Sequence, residues 1–258
     1  MAATVQRDGA FSVIAGPCSV ETPEQMREVA ACLSELGIHV MRGGAYKPRT
    51  SPFSFQGLEE KGLVMMREAA DEYGLLVVTE VTDSVHAEKI DAYADMIQIG
   101  TRNMANFSLL KKVGEVTGAS GKPVVFKRGM ASTIDEWLQA SNYLTMNGNE
   151  NVIFCERGIR TFEPSYRFTL DIMAVPVVKS LSLMPIIVDV SHPAGRADLV
   201  PAIARAALAV GADGIMVEVH PNPREALCDG PQSLDIEGIR ALMGELRQLA
   251  GAMGKEIV

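Results

Sequence analysis

The sequence predicts a single (β/α)8 TIM barrel, on three observations. Its 258 residues match the usual size of that fold, about 250 residues. Eight short runs rich in Val and Ile alternate with segments of helical spacing along the whole length, and continuous apolar runs of this kind read as parallel strands buried on both faces. A charged or metal-ligating residue follows every run, and the C-terminal ends of the strands are where such a barrel builds its site. An open, doubly wound sheet is the alternative. Against it, the first run is followed by Gly16-Pro17-Cys18 and not by the G-x-G-x-x-G turn of a dinucleotide fold.

The first strand is predicted over 11–15. The helix after it opens at Thr22, with Pro23 at the first helical position and Gln25 completing a capping box. It carries Met26, Val29, Ala30 and Leu33 on one face and stops at Gly37. The second strand, 38–42, runs into a segment where Arg42, Lys47 and Arg49 stand beside Gly43-Gly44 and ahead of Thr50 and Ser51. Glycines permit close approach to the backbone, the cations supply charge and the hydroxyls supply hydrogen bonds, which suits a phosphorylated or carboxylated small molecule. A solvated basic loop is the plainer reading, and the recurrence of strand-then-charge down the chain argues against it. Strands three to five are predicted over 75–80, 96–99 and 123–127. A helix then starts at Thr133, has Glu136 three residues on, and buries Ile134, Trp137 and Leu138. The last strands are predicted over 152–155, 185–189 and 214–218, with an Ala/Leu-rich helix from Asp198 ending at Gly211. Eight units leave no room for a second domain, so 1–258 reads as one catalytic barrel domain with no added regulatory domain.

Hydrophobic residues make up 47% of the chain, ample for a core. No stretch approaches the ~18 apolar residues of a membrane span, and MAATVQRDGA lacks an apolar signal core. The expectation is a cytoplasmic protein with no membrane partner. Cys18, Cys32, Cys155 and Cys228 form no C-x-x-C, so neither a zinc knuckle nor a disulfide framework is supported. A net charge of −8, from 32 acidic and 24 basic side chains, argues against nucleic acid or an anionic membrane as partner. Yet Arg42, Lys47, Arg49, Arg102, Lys127, Arg128, Arg157 and Arg160 all lie by glycines in predicted loops. An acidic shell around a basic mouth suits a small anionic substrate.

Candidate metal ligands are Cys18, His192, Glu218 and Asp229. The first, seventh and eighth strands are neighbours once a barrel closes, so these residues can converge, and a mixed thiolate, imidazole and carboxylate set suits Mn2+, Fe2+, Co2+ or Zn2+. Singly, each has a plainer reading: cysteine is commonly a small core residue, and His-Pro or Asp-Gly often marks a turn. Arg42, Lys47, Arg102, Lys127 and Arg157, at successive strand ends, can clamp phosphate and carboxylate oxygens. His39 and His86 read as structural. His220, two residues past Glu218, is a candidate to support the ligands from behind.

The motifs GPCSVE (16–21), RGGAYKPRTSPFSFQG (42–57), QIGTRNM (98–104), FKRG (126–129), CERGIRTFE (155–163), VDVSH (188–192) and VEVHPNPREALCDGPQSL (217–234) closely resemble the 3-deoxy-D-arabino-heptulosonate 7-phosphate (DAHP) synthases. The likeness spans roughly residues 9–250 and is to the compact type I-beta group, which also holds the 3-deoxy-D-manno-octulosonate 8-phosphate (KDO8P) synthases. The resemblance implies metal-dependent condensation of phosphoenolpyruvate (PEP) with erythrose 4-phosphate and water, releasing phosphate, at the first step of the shikimate pathway. It implies Cys18, His192, Glu218 and Asp229 as metal ligands and Arg42, Lys47, Arg102, Lys127 and Arg157 on PEP. It implies Arg49 and Thr50 on the sugar phosphate, and Lys47, Glu80, Asp189 and His192 around the reacting atoms. By the same analogy the protein is a homotetramer, with a dimer as the alternative. Two departures stand out: Val190 replaces a proline common in the family, and only a short leader precedes the first strand where larger relatives carry a ferredoxin-like or chorismate-mutase domain. Little built-in feedback by aromatic amino acids is therefore expected, unless a separate regulatory partner restores it.

The rivals are a KDO8P synthase using arabinose 5-phosphate, a Schiff-base aldolase, and a catalytically silent phosphate-binding protein. Lys47-Pro48-Arg49-Thr50 follows the DAHP pattern where KDO8P enzymes carry a KANRS-like run, and all four ligand positions are filled. A Schiff-base lysine would need an apolar pocket, whereas Lys127 is followed by Arg128 and Gly129. Borohydride treatment in the presence of substrates should therefore leave the mass of the protein unchanged; a trapped adduct at Lys127 would overturn the assignment.

Overall fold

The computed structural model describes Val5, residues 9–48 and residues 51–258. Eight strands form the barrel: β1 (Ala10–Gly16), β2 (Val40–Arg42), β3 (Leu76–Val81), β4 (Met96–Ile99), β5 (Val124–Lys127), β6 (Val152–Glu156), β7 (Ile186–Asp189) and β8 (Gly214–Glu218). All neighbours pair in parallel from β2 round to β8 and β1, and β1 also pairs with β2, which closes the ring. The helices between them are α1 (Pro23–Glu35), α2 (Glu60–Tyr73), α3 (Ala87–Tyr93), α4 (Phe107–Ser120), α5 (Ile134–Thr145), α6 (Ala174–Leu181), the short α7 (Ser191–Ala194), α8 (Val200–Ala209) and α9 (Ile236–Ala252). No helix among the described residues is long and apolar enough to cross a membrane.

Period-two alternation along a strand sorts its residues to two faces. One face of each strand packs on the helices in the outer core, as Phe11, Val13 and Ala15 do on β1. The other face fills the barrel with Ile14, Val40, Val78, Met96, Val125, Ile153, Ile187 and Met216, and Val5 joins this inner cluster. Two residues further along each strand, on the same inner face, stand Gly16, Arg42, Glu80, Gln98, Lys127, Cys155, Asp189 and Glu218. The barrel is apolar below and polar at its C-terminal mouth.

Local sequence explains most boundaries. Thr133 and Glu136 form both halves of a capping box on α5, and Trp137 locks that helix down by stacking edge-on against Phe154 and donating its indole N–H to the Phe126 carbonyl. On α1 the expected box is only half made. Thr22 accepts from the Gln25 N–H, but the Gln25 side chain accepts from Glu21 instead of Thr22. The second strand starts two residues later than predicted, because the Ile38 N–H closes the end of α1 on the Leu33 carbonyl. The helix expected from Asp198 begins as a 3-10 turn, Ala197–Leu199, before α8. A ninth strand, β9 (Glu256–Ile257), pairs in parallel with the start of β1. It is too short to leave a periodic signal.

Gly16 ends β1 at φ +145°, and a Cβ there would lie 2.1 Å from the Arg42 carbonyl oxygen. Gly16→Ala should destabilise the protein by about 2 kcal/mol or more through strain and overlap. Gly244, inside α9 with open space around it, behaves oppositely: Gly244→Ala should stabilise by roughly 0.5–1 kcal/mol. Urea midpoints of the two variants check the pair of signs.

Candidate active site at the barrel mouth

Two buried ion pairs floor the mouth. Arg42 Nη1 lies 2.6 Å from Glu218 Oε1, and Lys127 Nζ lies 2.5 Å from Asp189 Oδ2. Asp189 Oδ2 also lies 2.7 Å from His192 Nδ1, while Asp189 Oδ1 accepts from the Ser191 and His192 N–H groups. Burial alone would raise the Asp189 carboxyl, but His192 and Lys127 hold it well below the usual carboxylate range. Burial would also raise Glu218; His192 and Arg42 instead bring it down to about 2. The His192 imidazole moves below its ordinary value because burial outweighs the nearby carboxylates, so it is neutral at pH 7.

With Nδ1 turned to Asp189, His192 Nε2 faces Glu218 Oε1 at 3.6 Å and Asp229 Oδ2 at 3.8 Å. Asp229 Oδ2 is also 3.4 Å from Cys18 Sγ. The four expected ligands thus gather around Asp229. They do so as two overlapping sets, His192–Glu218–Asp229 and Cys18–Cys228–Asp229, with the ligand atoms of each set within 4.8 Å of one another. A carboxylate behind an imidazole can fix its tautomer and raise its basicity, and Asp189 stands in that place behind His192. The donor set fits a borderline divalent ion. Cys155, inside the barrel, does not share that chemistry: burial pushes its thiol up to about 12.

Above the floor a cavity of about 270 Å³ is lined by Lys47, Glu80, Arg102, Lys127, Arg157, Arg167, His192 and Asp229, among others. Lys47 reaches back to the β1 loop, its ammonium 2.9 Å from the Cys18 carbonyl and 3.2 Å from Cys18 Sγ. The space that allows this is at Gly44, where a Cβ would meet Lys47 Cδ at 2.6 Å and the Cys18 carbonyl at 2.8 Å. The room expected there for a ligand is taken by the lysine stem. Arg157 is buried, its guanidinium 3.8 Å from the centre of the Phe168 ring, and burial lowers it to about 10. Arg102 is exposed on the 3-10 turn after β4. Arg42 lies beneath the cavity, already paired. Arg49 and Thr50, expected on the sugar phosphate, lie outside the described residues.

Sequence reading missed three participants. Arg167 sits in the β6–α6 loop, closed by the Ile159–Thr169 bridge, and pairs with Asp229 Oδ1 at 3.2 Å. Gln232 accepts from Arg167 and donates to Glu218, each at 2.6 Å. Cys228 lies 3.3 Å from Cys18, sulfur to sulfur; this contact and burial push the Cys18 thiol well up. None of the three follows a strand directly, the signal by which the others were found. His220, expected behind the ligands, lies 3.4 Å from Glu21, whose carboxylate accepts from the Leu227 N–H beside Cys228. His86 stacks on Tyr46, a structural role.

A sequence profile described as the DAHP synthetase I family matches residues 3–252. The phospho-2-dehydro-3-deoxyheptonate aldolase of Thermotoga maritima is 56% identical over 250 residues, covering 97% of this chain and 73% of its own. The 2-dehydro-3-deoxyphosphooctonate aldolase of Vesicomyosocius okutanii is 30% identical, covering 93% of this chain and 90% of its own. Among solved structures, that of the Thermotoga phospho-2-dehydro-3-deoxyheptonate aldolase (DAHP synthase) superposes with a TM-score of 0.93 at 55% identity, over 97% of this chain and 72% of that one. A truncated form of 3-deoxy-D-arabino-heptulosonate 7-phosphate synthase from the same organism gives 0.89 at 51% identity, over 97% and 90%.

Asp189→Asn should cost about 3–5 kcal/mol of stability, because it leaves Lys127 buried without its counter-charge. The same change at Asp198, whose pair with Arg196 is solvent-exposed, should leave the urea midpoint within error. Equal effects at the two positions would remove Asp189 from its central place.

Proposed function

The chain belongs to the DAHP synthetase I family, and on that premise we infer that its barrel mouth condenses PEP with erythrose 4-phosphate and water, giving DAHP and inorganic phosphate. This is the first step of the shikimate pathway, catalysed by a carbon–carbon bond-forming transferase. The observation that carries the site assignment is that Lys47, Arg102, Lys127, Arg157 and Arg167 line one small cavity together with His192 and Asp229. Cations cradle a doubly anionic substrate on one side; donors for a divalent ion stand on the other.

Arg102, Arg157, Lys127 and Lys47 hold the phosphate and carboxylate of PEP, the arginines through paired N–H donors. Arg42 acts from beneath by holding Glu218, and Arg49 with Thr50 takes the sugar phosphate. Cys18, His192, Glu218 and Asp229 hold the divalent ion, which when bound supplies Lewis-acid polarisation of the aldehyde. The C3 carbon of PEP then attacks the aldehyde carbon, and the aldehyde oxygen needs a proton. Burial opposes charge on Lys47, but the neighbouring Cys18 and Cys228 sulfurs raise its ammonium above the ordinary value, so it arrives protonated and donates. Positive charge left at C2 is met by water. Glu80, on the cavity wall with Gln98 as its 3.2 Å partner, takes the water's proton. Loss of phosphate from the tetrahedral C2 completes the keto product. Asp189 has both oxygens engaged and is held far below neutral, so it orients Lys127 and His192 and does not act as the base.

A cytoplasmic location and a homotetrameric assembly belong to the same reading and rest on the family likeness. The native metal is Mn2+, Fe2+, Co2+ or Zn2+ by donor chemistry. The second reading, a KDO8P synthase, rests on more distant relatives, such as the one at 30% identity against 56% for the Thermotoga aldolase.

Phosphate release from PEP by EDTA-stripped protein, with Mn2+ restored, should occur with erythrose 4-phosphate and cease without the ion. Comparable turnover with arabinose 5-phosphate would mean that the site does not measure sugar length. Turnover with neither sugar would sink the catalytic reading.

A further inference from the structure

Period-two alternation puts Val152 and Phe154 of β6 on the face that packs against the helices, and the next residue on that face is a carboxylate. Glu156 is 0% exposed. An apolar side chain would serve the outer core better there, since an anion is costly to desolvate unless it is paired and hydrogen-bonded. Its partners explain its presence. Glu156 Oε2 accepts from Arg128 Nη1 at 3.0 Å. Oε1 accepts from the Gly158 N–H at 2.7 Å and from the Asp171 N–H at 3.4 Å. Arg128 Nη1 also reaches Asp171 Oδ2 at 2.8 Å. The sequence groups Arg128 with the cations of the mouth, but it does not line the cavity. It lies beside Glu156 because β5 and β6 run in register, Lys127 against Cys155.

Gly158 and Asp171 stand at the two ends of the loop that joins β6 to α6. That stretch of chain brings Arg157 and Arg167 to the cavity, both against the Phe168 ring. Among the described residues, the backbone of 157–170 bonds to itself only at the Ile159–Thr169 bridge. One carboxylate oxygen gathering both ends is therefore a large part of what fixes the loop's shape. Gly158 carries the effect to the cavity: Glu156 holds its N–H, and its carbonyl accepts from Arg157 Nη1 at 3.2 Å.

We propose that Glu156 is a positioning residue for PEP: by clasping both ends of the β6–α6 loop it sets where the Arg157 guanidinium meets that substrate, and it touches neither substrate itself. The inference rests on the PEP reading of the cavity. Glu156→Gln tests it with little change of volume, because the amide keeps one acceptor oxygen and sets an NH2 group against either Arg128 or the backbone donors.

The experiment joins turnover of the full, Mn2+-loaded chain, varying each substrate separately, with tryptic cleavage after Arg160 and Arg167. In Glu156→Gln the KM for PEP should rise roughly tenfold or more, that for erythrose 4-phosphate less than about twofold, and kcat should fall less than about threefold. In an Arg157→Ala background the same change should add less than about twofold to the KM for PEP, because the group it acts through is gone. Loop cleavage should be roughly fivefold faster or more than in the unmutated protein. Emission from Trp137, the single tryptophan and packed on Phe154, checks that the barrel is intact. Should Glu156→Gln not fold, Asp171→Ala, at the more exposed end of the network, carries the same test with a rise of about threefold in the KM for PEP. An unchanged KM for PEP in a folded variant would overturn the proposal, as would an effect that persists in full without Arg157. Normal turnover with unchanged loop cleavage would remove the clasp and leave the PEP reading standing. No turnover by the unmutated protein would sink the PEP reading and the proposed role with it.

Discussion

The mouth of the barrel depends on the Asp189 carboxylate. One oxygen lies 2.5 Å from Lys127 and 2.7 Å from His192; the other accepts two backbone N–H groups at the start of α7. A single buried side chain therefore pairs with a buried lysine, turns the other imidazole nitrogen towards Glu218 and Asp229, and anchors the helix that carries that imidazole. These partners hold its carboxyl well below the usual carboxylate range. Lys47 and Glu80, by contrast, border open space, which is why the proposed proton transfers fall to them and not to Asp189.

The two-residue step along each strand explains how so much charge can be buried. Val40, Val125, Ile187 and Met216 lie in the apolar interior; Arg42, Lys127, Asp189 and Glu218 lie one pleat above. Desolvation of these four would be prohibitive singly, but they stand as two opposite-charge pairs with further hydrogen bonds on the carboxylates. The pairs neutralise one another, so the floor contributes little net potential. The attraction for an anion comes from Lys47, Arg102, Arg157 and Arg167 above it. A chain of net charge −8 can thus present a cationic mouth, because cations facing a concave site are counted by the ligand and the outer acidic groups are screened by solvent.

Strand ends were legible in the sequence because period and polarity change together there. Arg42, Glu80, Lys127, Asp189 and Glu218, and the candidate ligands Cys18 and His192 close behind such strand ends, follow from locating an apolar run and reading what comes next. Residues delivered by loops were not legible. Arg167 acts through the hairpin-like closure of 159 on 169, and Cys228 through the left-handed turn at Asp229; neither leaves a periodic trace. Even a correct motif can carry the wrong reason. Gly43-Gly44 was read as space for a ligand, and at Gly44 that space accommodates the stem of Lys47.

The division between strand-borne and loop-borne groups follows the strength of the backbone beneath them. Glu218 ends the β1–β8 ladder, paired in register from Ser12–Gly214 to Gly16–Glu218, and Cys18 follows directly on the partner strand. The loop carrying Asp229 is then stitched to that seam: Val219 donates to Gly16, Leu234 to Glu218, and Leu227 to Glu21. Glu218, Cys18 and Asp229 are consequently held by one continuous hydrogen-bonded unit. Arg157 and Arg167 lean on Phe168, within a loop whose Ile159–Thr169 bridge is its one ladder contact among the described residues. Backbone openings cost least where such contacts are fewest. The side of the mouth that carries Cys18, Glu218 and Asp229 is therefore the more firmly stitched to the barrel, and the loop that carries Arg167 the less.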